Sequence, residues 1–352
     1  MHLRLVRLES LSWKVSVCDW NISATCKMTL PRISVAMCTF NGARYLASQL
    51  ESIAAQTRPP DELIICDDGS SDGTHEILSA FVKTARFPTR IFINGKNLGS
   101  TANFEKSISR CHGEIVALAD QDDVWYSNKL ERIDEAFKRS SHVVAVFSDA
   151  DLIDDRSVSL GQLLWPTFSF DASRQRQFSN GGAFHVLLRQ PVVTGAAMAF
   201  RRSLFEPLTP FPCGQIHDRW MSFFLALRGS FAVISDPLMQ YRVHTTQQIG
   251  TGARTWSERI DCVKNTGIDF YRKELETYRL VRERLRSRST DFPDADHQLA
   301  ELDQKIAHLA HRTELPPTRM ARIPEILRES VNRNYWRYSG GWRSIAKDLV
   351  LR

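Results

Sequence analysis

Three stretches hold the side chains best placed to do chemistry. Asp120-Gln121-Asp122-Asp123-Val124-Trp125 sets three carboxylates within four residues, directly after the apolar run Ile115-Val116-Ala117-Leu118-Ala119. Carboxylates this close repel one another unless a cation sits among them. An oxygen-rich cluster suits Mg²⁺ or Mn²⁺, held by few protein ligands and completed by diphosphate oxygens. The competing reading is a solvated acidic turn. Asp67-Asp68-Gly69-Ser70-Ser71-Asp72-Gly73 follows a second apolar run, Leu63-Ile64-Ile65-Cys66. Carboxylates there can accept hydrogen bonds from a base N–H or from ribose hydroxyls; alternatively the stretch is a polar turn in which Asp72 caps the next helix. The third is Ile216-His217-Asp218-Arg219-Trp220, where Asp218 is either a general base or the N-cap of a helix. Downstream, Tyr241-Arg242-Val243-His244 closes a strand-like run, and His244 is a metal ligand, a phosphate donor or a structural histidine. His217 leaves the same choice open.

The elements that carry these stretches alternate between two periods. Ile33–Cys38, Leu63–Cys66, Arg90–Ile93, Ile115–Ala119 and Val143–Phe147 are short apolar runs of strand length. Between them Leu46, Leu50, Ile53 and Ala54 recur at helical spacing, as do Ile77, Leu78, Phe81 and Val82, then Phe104 and Ile108, then Leu130, Ile133 and Phe137. Buried strands separated by helices predict an α/β fold with a doubly wound, mostly parallel sheet flanked by helices. Ligands of such sheets bind beyond the carboxyl ends of the strands, where the acidic turns fall. The pattern weakens over 150–195, which reads as loops and short elements over the site. It returns at Val192–Phe200, in a helix from His217 to Arg228, and at Phe231–His244. Beyond about 255 the chain reads as a charged helical extension with a loop near Phe292-Pro293.

Composition bounds the function class. With 43% hydrophobic and 24% charged residues the 352-residue chain is an ordinary globular protein. Its net charge of +6 sits at the ends: residues 319–352 carry +5, residues 1–30 carry +2, and the body is nearly neutral. That placement argues against a nucleic-acid-binding core. It fits a basic tail that touches an anionic leaflet, or one that is simply a solvated helix. In the tail Tyr335-Trp336-Arg337-Tyr338 and Trp342-Arg343 interleave aromatics with arginines, which suits an interfacial helix or aromatics packed back on the body. The seven cysteines show no Cys-x-x-Cys pair and read as reduced, buried thiols of a cytosolic protein. No apolar run approaches ~18 residues, so no spanning helix is expected. Residues 1–30 read as an extension outside the fold, with Met28 as a candidate natural start. The expected location is cytoplasmic, with peripheral contact on the inner face of the cell membrane.

Taken together, the motifs have one order at successive strand ends: Thr39-Phe40-Asn41-Gly42, the Asp-Asp-Gly-Ser turn, Asn97-Leu98-Gly99, the Asp-Gln-Asp-Asp cluster, and the His-Asp helix. Across about residues 31–250 this resembles the family 2 glycosyltransferases of the GT-A fold. Asp-Gln-Asp-Asp-Val-Trp with a His-Asp-x-Trp helix and Tyr-Arg-x-His looks like their rhamnosyltransferase-type branch. The resemblance implies an inverting transferase domain over 31–250 and a helical basic region over 251–352. It implies a nucleoside diphosphate-sugar donor, UDP- or dTDP-linked, and a saccharide or lipid-linked acceptor in cell-surface polysaccharide synthesis. It further implies that Thr39, Phe40, Asn41, Asp68, Asn97 and Asp120 surround the nucleotide-sugar. In that scheme Phe40 stacks on the base, Asp68 accepts its imide N–H, and Asp120 lies near the ribose and diphosphate. Asp122 and His244 face a Mn²⁺ or Mg²⁺ ion, and Asp218 is the catalytic base. Cys38 and Phe40 stand where many relatives have Pro and Tyr, a change stacking tolerates. Thr245–Gln248 intervenes in the loop that usually follows Tyr-Arg-x-His. Two other readings stay open, a nucleotidyltransferase and a non-catalytic nucleotide-sugar-binding pseudoenzyme. The missing Gly-x-Gly-x-x-Gly after the first strand argues against a dinucleotide dehydrogenase.

Overall fold

The computed structural model describes residues 31–244 and 268–350. The extension over 1–30 with Met28, the boundary near 250 and the Thr245–Gln248 loop lie outside the described residues. The first half builds as the periodicity predicts. Strands β1 (Ile33–Thr39), β2 (Glu62–Asp67), β3 (Thr89–Ile93) and β4 (Ile115–Ala119) pair in parallel in the order β3-β2-β1-β4. Helices α1 (Leu46–Ala54), α2 (Thr74–Thr84) and α3 (Ser100–Ser109) make the crossovers. Strand alternation sorts the core into two layers, since successive side chains point to opposite faces. Ile33, Val35 and Met37 pack with Leu46, Leu50 and Leu130, while Ala36, Ile64 and Val116 pack with Phe104 and Ile108 on the other face. Both faces are covered, which is why β2 is buried along its whole length.

Register decides where the motifs meet. Thr39 pairs with Asp67, and Met37 with Ala119, so the parallel strands end level. The turns that follow therefore converge on one edge of the sheet.

The remaining five strands depart from the expected parallel order. They are β5 (Val124–Trp125), β6 (Val143–Ile153), β7 (Ser159–Leu163), β8 (Met198–Arg201) and β9 (Ser230–Arg242), and they complete a nine-stranded mixed sheet. β8 runs antiparallel to both β4 and β6; β6 and β9 are parallel; β5 and β7 are antiparallel to β9 and β6. Half of the pairings are thus antiparallel, because a chain segment far along the sequence is inserted beside β4. Helix α4 (Lys129–Arg139) covers one face. The weakly patterned stretch is ordered as β7, α5 (Leu164–Thr167), α6 (Ala172–Gln177) and α7 (Ala183–Arg189). Helix α8 (His217–Ala226) follows β8.

The C-terminal region is helical, as expected: α9 (Ile268–Ser287), α10 (Ala295–Thr313), α11 (Arg319–Val331), α12 (Asn334–Tyr338) and α13 (Trp342–Val350). Tyr271, Leu275, Tyr278, Val281 and Leu285, one stripe of α9, share a core with Trp220 and Phe223 of α8. Buried ion pairs lock the last helices. Arg312 donates to both Asp348 oxygens at 2.7 and 2.9 Å, and the Tyr335 hydroxyl donates to Asp348 at 2.8 Å. The aromatic–arginine stretch of the tail accordingly divides. Tyr335 and Tyr338 are buried, whereas Trp342 is 72% exposed. Among the described cysteines all four are free thiols, but Cys213 is exposed rather than buried. Among the described residues no helix is long and apolar enough to cross a membrane.

Candidate active site

A cavity of about 750 Å³ opens at the level ends of β1 and β4, between the acidic cluster and α8. Seven of the nine residues singled out from the sequence line it: Thr39, Phe40, Asn41, Asp120, Asp122, Asp218 and His244. Asp68 and Asn97 do not.

The Asp67-Asp68 turn does not line the cavity and is closed on itself. Asp67 accepts from the Gly69 and Ser70 amides, the Ser70 and Thr39 hydroxyls and the His75 ring, all within 3.1 Å. Burial alone would raise its pKa, but those donors outweigh burial and hold it below the usual carboxylate range. Asp68 accepts from Asn94 Nδ2 and the amides of Leu98 and Gly99, each at 2.8 Å. Its contacts therefore hold the 94–99 loop rather than facing the cavity. The Asn97 side chain accepts from Gly99 N, which sits at φ 82°, so it shapes the same turn. Asp72 accepts from the Thr74 amide and hydroxyl at the start of α2, and from Ala43 N on its other oxygen. The N-cap of α2 is Gly73, so Asp72 is not the cap itself but braces the first turn from the residue before it.

Phe40 is held by its backbone. Gln121 Oε1 accepts from Phe40 N at 2.8 Å and Gln121 Nε2 donates to Phe40 O at 3.0 Å, leaving the ring 36% exposed at the cavity rim. A Cβ on Gly42 would fall 2.1 Å from Gln121 Oε1, so glycine is what admits this clamp. Asn41 adopts φ 47° and accepts from Ser71 N through Oδ1, which ties the β1 turn to the β2 turn.

The acidic cluster is the opposite of the Asp67-Asp68 turn. Asp120 is half-buried on the cavity wall, and burial together with Asp122 and Asp218 pushes its pKa up to about 8. Asp123 is raised by burial, Asp122 and Asp120; its Oδ1 accepts from Arg242 N, but its buried Oδ2 has no partner among the described residues. Beneath them Lys129 is fully buried, donates to Ala196 O at 2.7 Å and lies over the Trp125 ring. Burial brings Lys129 down to about 7 against the raising effect of Asp123 and Asp120. Arg242, also buried, donates to Asp122 O and to Asp154 O, pinning the cluster to the β6–β7 turn. Asp122 Oδ2 meets His244 Nε2 at 2.8 Å, and His244 packs on the Tyr45 ring with centroids 5.2 Å apart.

Whether these groups suit a divalent ion can be asked of their chemistry. Among the described residues no preassembled trio of ligands exists. Asp122 and His244 do offer an oxygen and a nitrogen on the cavity wall, near an Asp123 oxygen without a partner among the described residues and an Asp120 that Lys129 offsets only in part. That donor set fits Mn²⁺ or Mg²⁺ taking its other ligands from a diphosphate.

Across the cavity, Asp218 is not a helix cap. The N-cap of α8 is Ile216, and Asp218 Oδ2 instead accepts from Gly195 N at 2.8 Å. Oδ1 has no protein donor among the described residues. Gly195 is needed for this approach, since a Cβ there would lie 2.8 Å from His217 Nε2 and 3.2 Å from Asp218 Cβ. His217 stacks on Phe104 at 4.1 Å and has no partner on either ring nitrogen among the described residues; burial lowers its pKa against the opposing charge of Asp218. Arg219 forms a bidentate pair with Glu274 of α9 at 2.5 and 2.8 Å, so the C-terminal helices brace the helix that carries Asp218.

Several of these residues escaped the sequence reading. Gly195 interrupts an apolar run, a readable sign of close backbone approach. Lys129 and Arg242 lie within periodic or motif positions and gave no separate signal. Glu274 is one charge among many on a charged helix.

The sequence model of the family described as "Glycosyl transferase family 2" matches residues 34–209. An uncharacterized glycosyltransferase of Nostoc sp., alr2836, is 31% identical over 258 residues, covering 71% of this chain and 76% of the relative. The putative teichuronic acid biosynthesis glycosyltransferase TuaG of Bacillus subtilis is 33% identical over 102 residues, 29% of this chain and 40% of that protein. Among solved structures, S. aureus TarS 1-349 in complex with UDP-GlcNAc superposes with a TM-score of 0.57 at 16% identity, covering 84% of this chain and 79% of that one. At that identity the likeness speaks for the fold.

Proposed function

This chain belongs to glycosyl transferase family 2, and from that premise we propose that it is an inverting transferase of UDP- or dTDP-sugars, using a divalent metal. The observation that carries the reading is one cavity with Asp218 on one wall and the Asp122–His244 pair on the other. The acceptor is a hydroxyl of a saccharide or lipid-linked glycan in cell-surface polysaccharide assembly, a setting supported by the name of the TuaG relative. dTDP-rhamnose is the donor favoured by the Asp-Gln-Asp-Asp-Val-Trp and His-Asp-x-Trp motifs.

Phe40 at the rim offers a face to the nucleotide base. The acceptor oxygen attacks the anomeric carbon as the bond to the diphosphate oxygen breaks and its electron pair leaves with the diphosphate. Asp218 Oδ1, without a protein donor, takes the hydroxyl proton, while the Gly195 amide on Oδ2 holds the carboxylate in place. A cation held by Asp122 and His244 would supply Lewis acidity at the diphosphate.

Thermal stability with UDP, dTDP, GDP and CDP, each with and without Mn²⁺ or Mg²⁺, tests the reading. A ligand at ~100 times its dissociation constant adds about 2.7 kcal/mol. The expected result is a metal-dependent rise with UDP or dTDP; no rise with any nucleotide would overturn it.

The membrane contact moves from the tail aromatics to α11. Met320 (78% exposed), Leu327 (58%) and Val331 (81%) lie on one helical face, with Arg319, Arg328, Arg333 and Arg343 exposed around it. An apolar stripe ringed by arginines suits an anionic bilayer. Flotation with anionic liposomes should fall when Met320, Leu327 and Val331 are changed to serine; unchanged flotation sinks the contact.

A further inference from the structure

A second cavity, of about 250 Å³, lies between α6, α7 and the C-terminal helices, and shares no lining residue with the first. Three arginines face it: Arg174 of α6, Arg189 of α7 and Arg337 of α12. Their surroundings are unequal. Arg337 has a carboxylate, donating to Glu301 Oε1 at 2.7 Å. Arg174 spends one N–H on Ser169 O at 2.7 Å, and Arg189 its Nε on Ser339 O at 2.8 Å. Neither has a carboxylate partner among the described residues. Glu301, the cavity's one acidic side chain, is already engaged by Arg337 and by the Tyr338 hydroxyl.

Two half-buried guanidiniums therefore share one space with no ion-paired carboxylate among the described residues, Asp171 acting on Arg189 only through space. Burial lowers the pKa of Arg189 first and the Arg174 charge lowers it further, with Asp171 opposing them only in part, so the net direction is that of like charges in poor solvent. Such an arrangement is costly unless something anionic enters. The remaining N–H groups form forks that match the oxygens of a phosphate better than a point charge would. The space is below the ~300–1,000 Å³ of ordinary small-molecule pockets, a size for a headgroup rather than a whole nucleotide-sugar. Trp336 walls the cavity and packs edge-on against Trp342, whose exposed ring extends that wall outward.

We propose that the Arg174–Arg189 cavity is a binding site for a phosphate or diphosphate group, separate from the donor site. The proposal does not depend on the assignment of Asp122 or Asp218. Its chemistry is met equally by a phosphorylated lipid headgroup and by a soluble phosphorylated sugar.

The probe is inorganic pyrophosphate in metal-free buffer, read as thermal stabilisation. Wild type and Asp122→Asn should both be stabilised, and Arg174→Gln/Arg189→Gln should lose the response while keeping its metal-dependent stabilisation by nucleotide. Pyrophosphate that stabilises the double variant as well as wild type overturns the proposal, as does pyrophosphate that stabilises neither. Should the double variant not fold, Arg189→Lys keeps the charge but loses the fork, and should weaken pyrophosphate binding about tenfold; unaltered affinity again overturns the site. Vesicles of phosphatidylglycerol and of phosphatidylcholine separate the sources. Phosphatidylglycerol binding lost in the double variant, but kept in the charge-matched control Lys83→Gln/Arg139→Gln, assigns a lipid headgroup. A pyrophosphate response with vesicle binding equal in the two variants assigns a soluble ligand.

Discussion

Two acidic turns stand at the ends of parallel strands on either side of β1, and they are built to opposite ends. The Asp67-Asp68 turn has its carboxylates saturated: five donors surround Asp67 and three hold Asp68. The Asp120–Asp123 turn is left in debt of donors, with Asp120 pushed up to about 8 and an Asp123 oxygen without a partner. A buried charge with its donors supplied is scaffold; one without them is an invitation to a ligand. Sequence alone shows the same pattern of carboxylates after an apolar strand in both.

The comparison can be pressed hardest at Asp218, which belongs to the unsatisfied side of the cavity. Asp218→Asn should lower kcat about 10³-fold, within the usual worth of a general base, while nucleotide-dependent stabilisation stays as in wild type. Near-normal transfer by this variant would remove Asp218 as the base and restore the pseudoenzyme or nucleotidyltransferase readings.

Next, the same substitution should act with opposite sign in the two turns. Asp67→Asn turns an amide group toward donors and should cost about 3 kcal/mol of unfolding free energy, as lost hydrogen bonds to a charged group do. Asp120→Asn should raise the melting temperature of the metal-free protein, because it removes a charge that burial, Asp122 and Asp218 already disfavour. Denaturant unfolding of both variants decides this, and losses of equal size would erase the distinction drawn here.

The pH dependence sharpens it further. Asp120 binds its proton more tightly folded than unfolded, so the folded chain carries more protons between its ordinary pKa of 3.8 and about 8. Stability from this group is then greatest at low pH and is lost as pH rises through that window. Lys129, brought down to about 7, works the other way only above that value. The Asp120 contribution should therefore be read between pH 5 and 7 as the difference between wild type and Asp120→Asn: the variant's advantage in melting temperature grows as pH rises. A constant difference would mean that Asp120 is ionised throughout.

The smallest effect is expected at Gly195. Gly195→Ala presses a methyl group on His217 and the Asp218 Cβ, and should lower kcat about tenfold, or 1.4 kcal/mol, with little change in donor KM. An unchanged kcat would mean that the Gly195 amide does not orient the base.

Much of this molecule was legible from periodicity. The strand–helix alternation through β4 and the convergence of Thr39, Phe40, Asn41, Asp120 and Asp122 follow from local pattern and one rule about parallel strand ends. The antiparallel entry of β8 was not, because the four residues Met198–Arg201 look like the end of any apolar run, and their partner is chosen by packing against β4 and β6. Sequence alone sets Asp68 and Asn97 with the ligand-facing residues, because residue type says what a carboxylate or amide can accept, not which donors reach it first.

Residue types and their periods determined which elements form and which side chains carry charge, since those depend on interactions within a few residues. Only tertiary structure decided which charges are paid with hydrogen bonds. The donors to Asp68 come from 94–99, the donor to Asp218 from Gly195, and the brace on Arg219 from Glu274. Those distances along the chain are closed by the core, and no local sequence pattern records them.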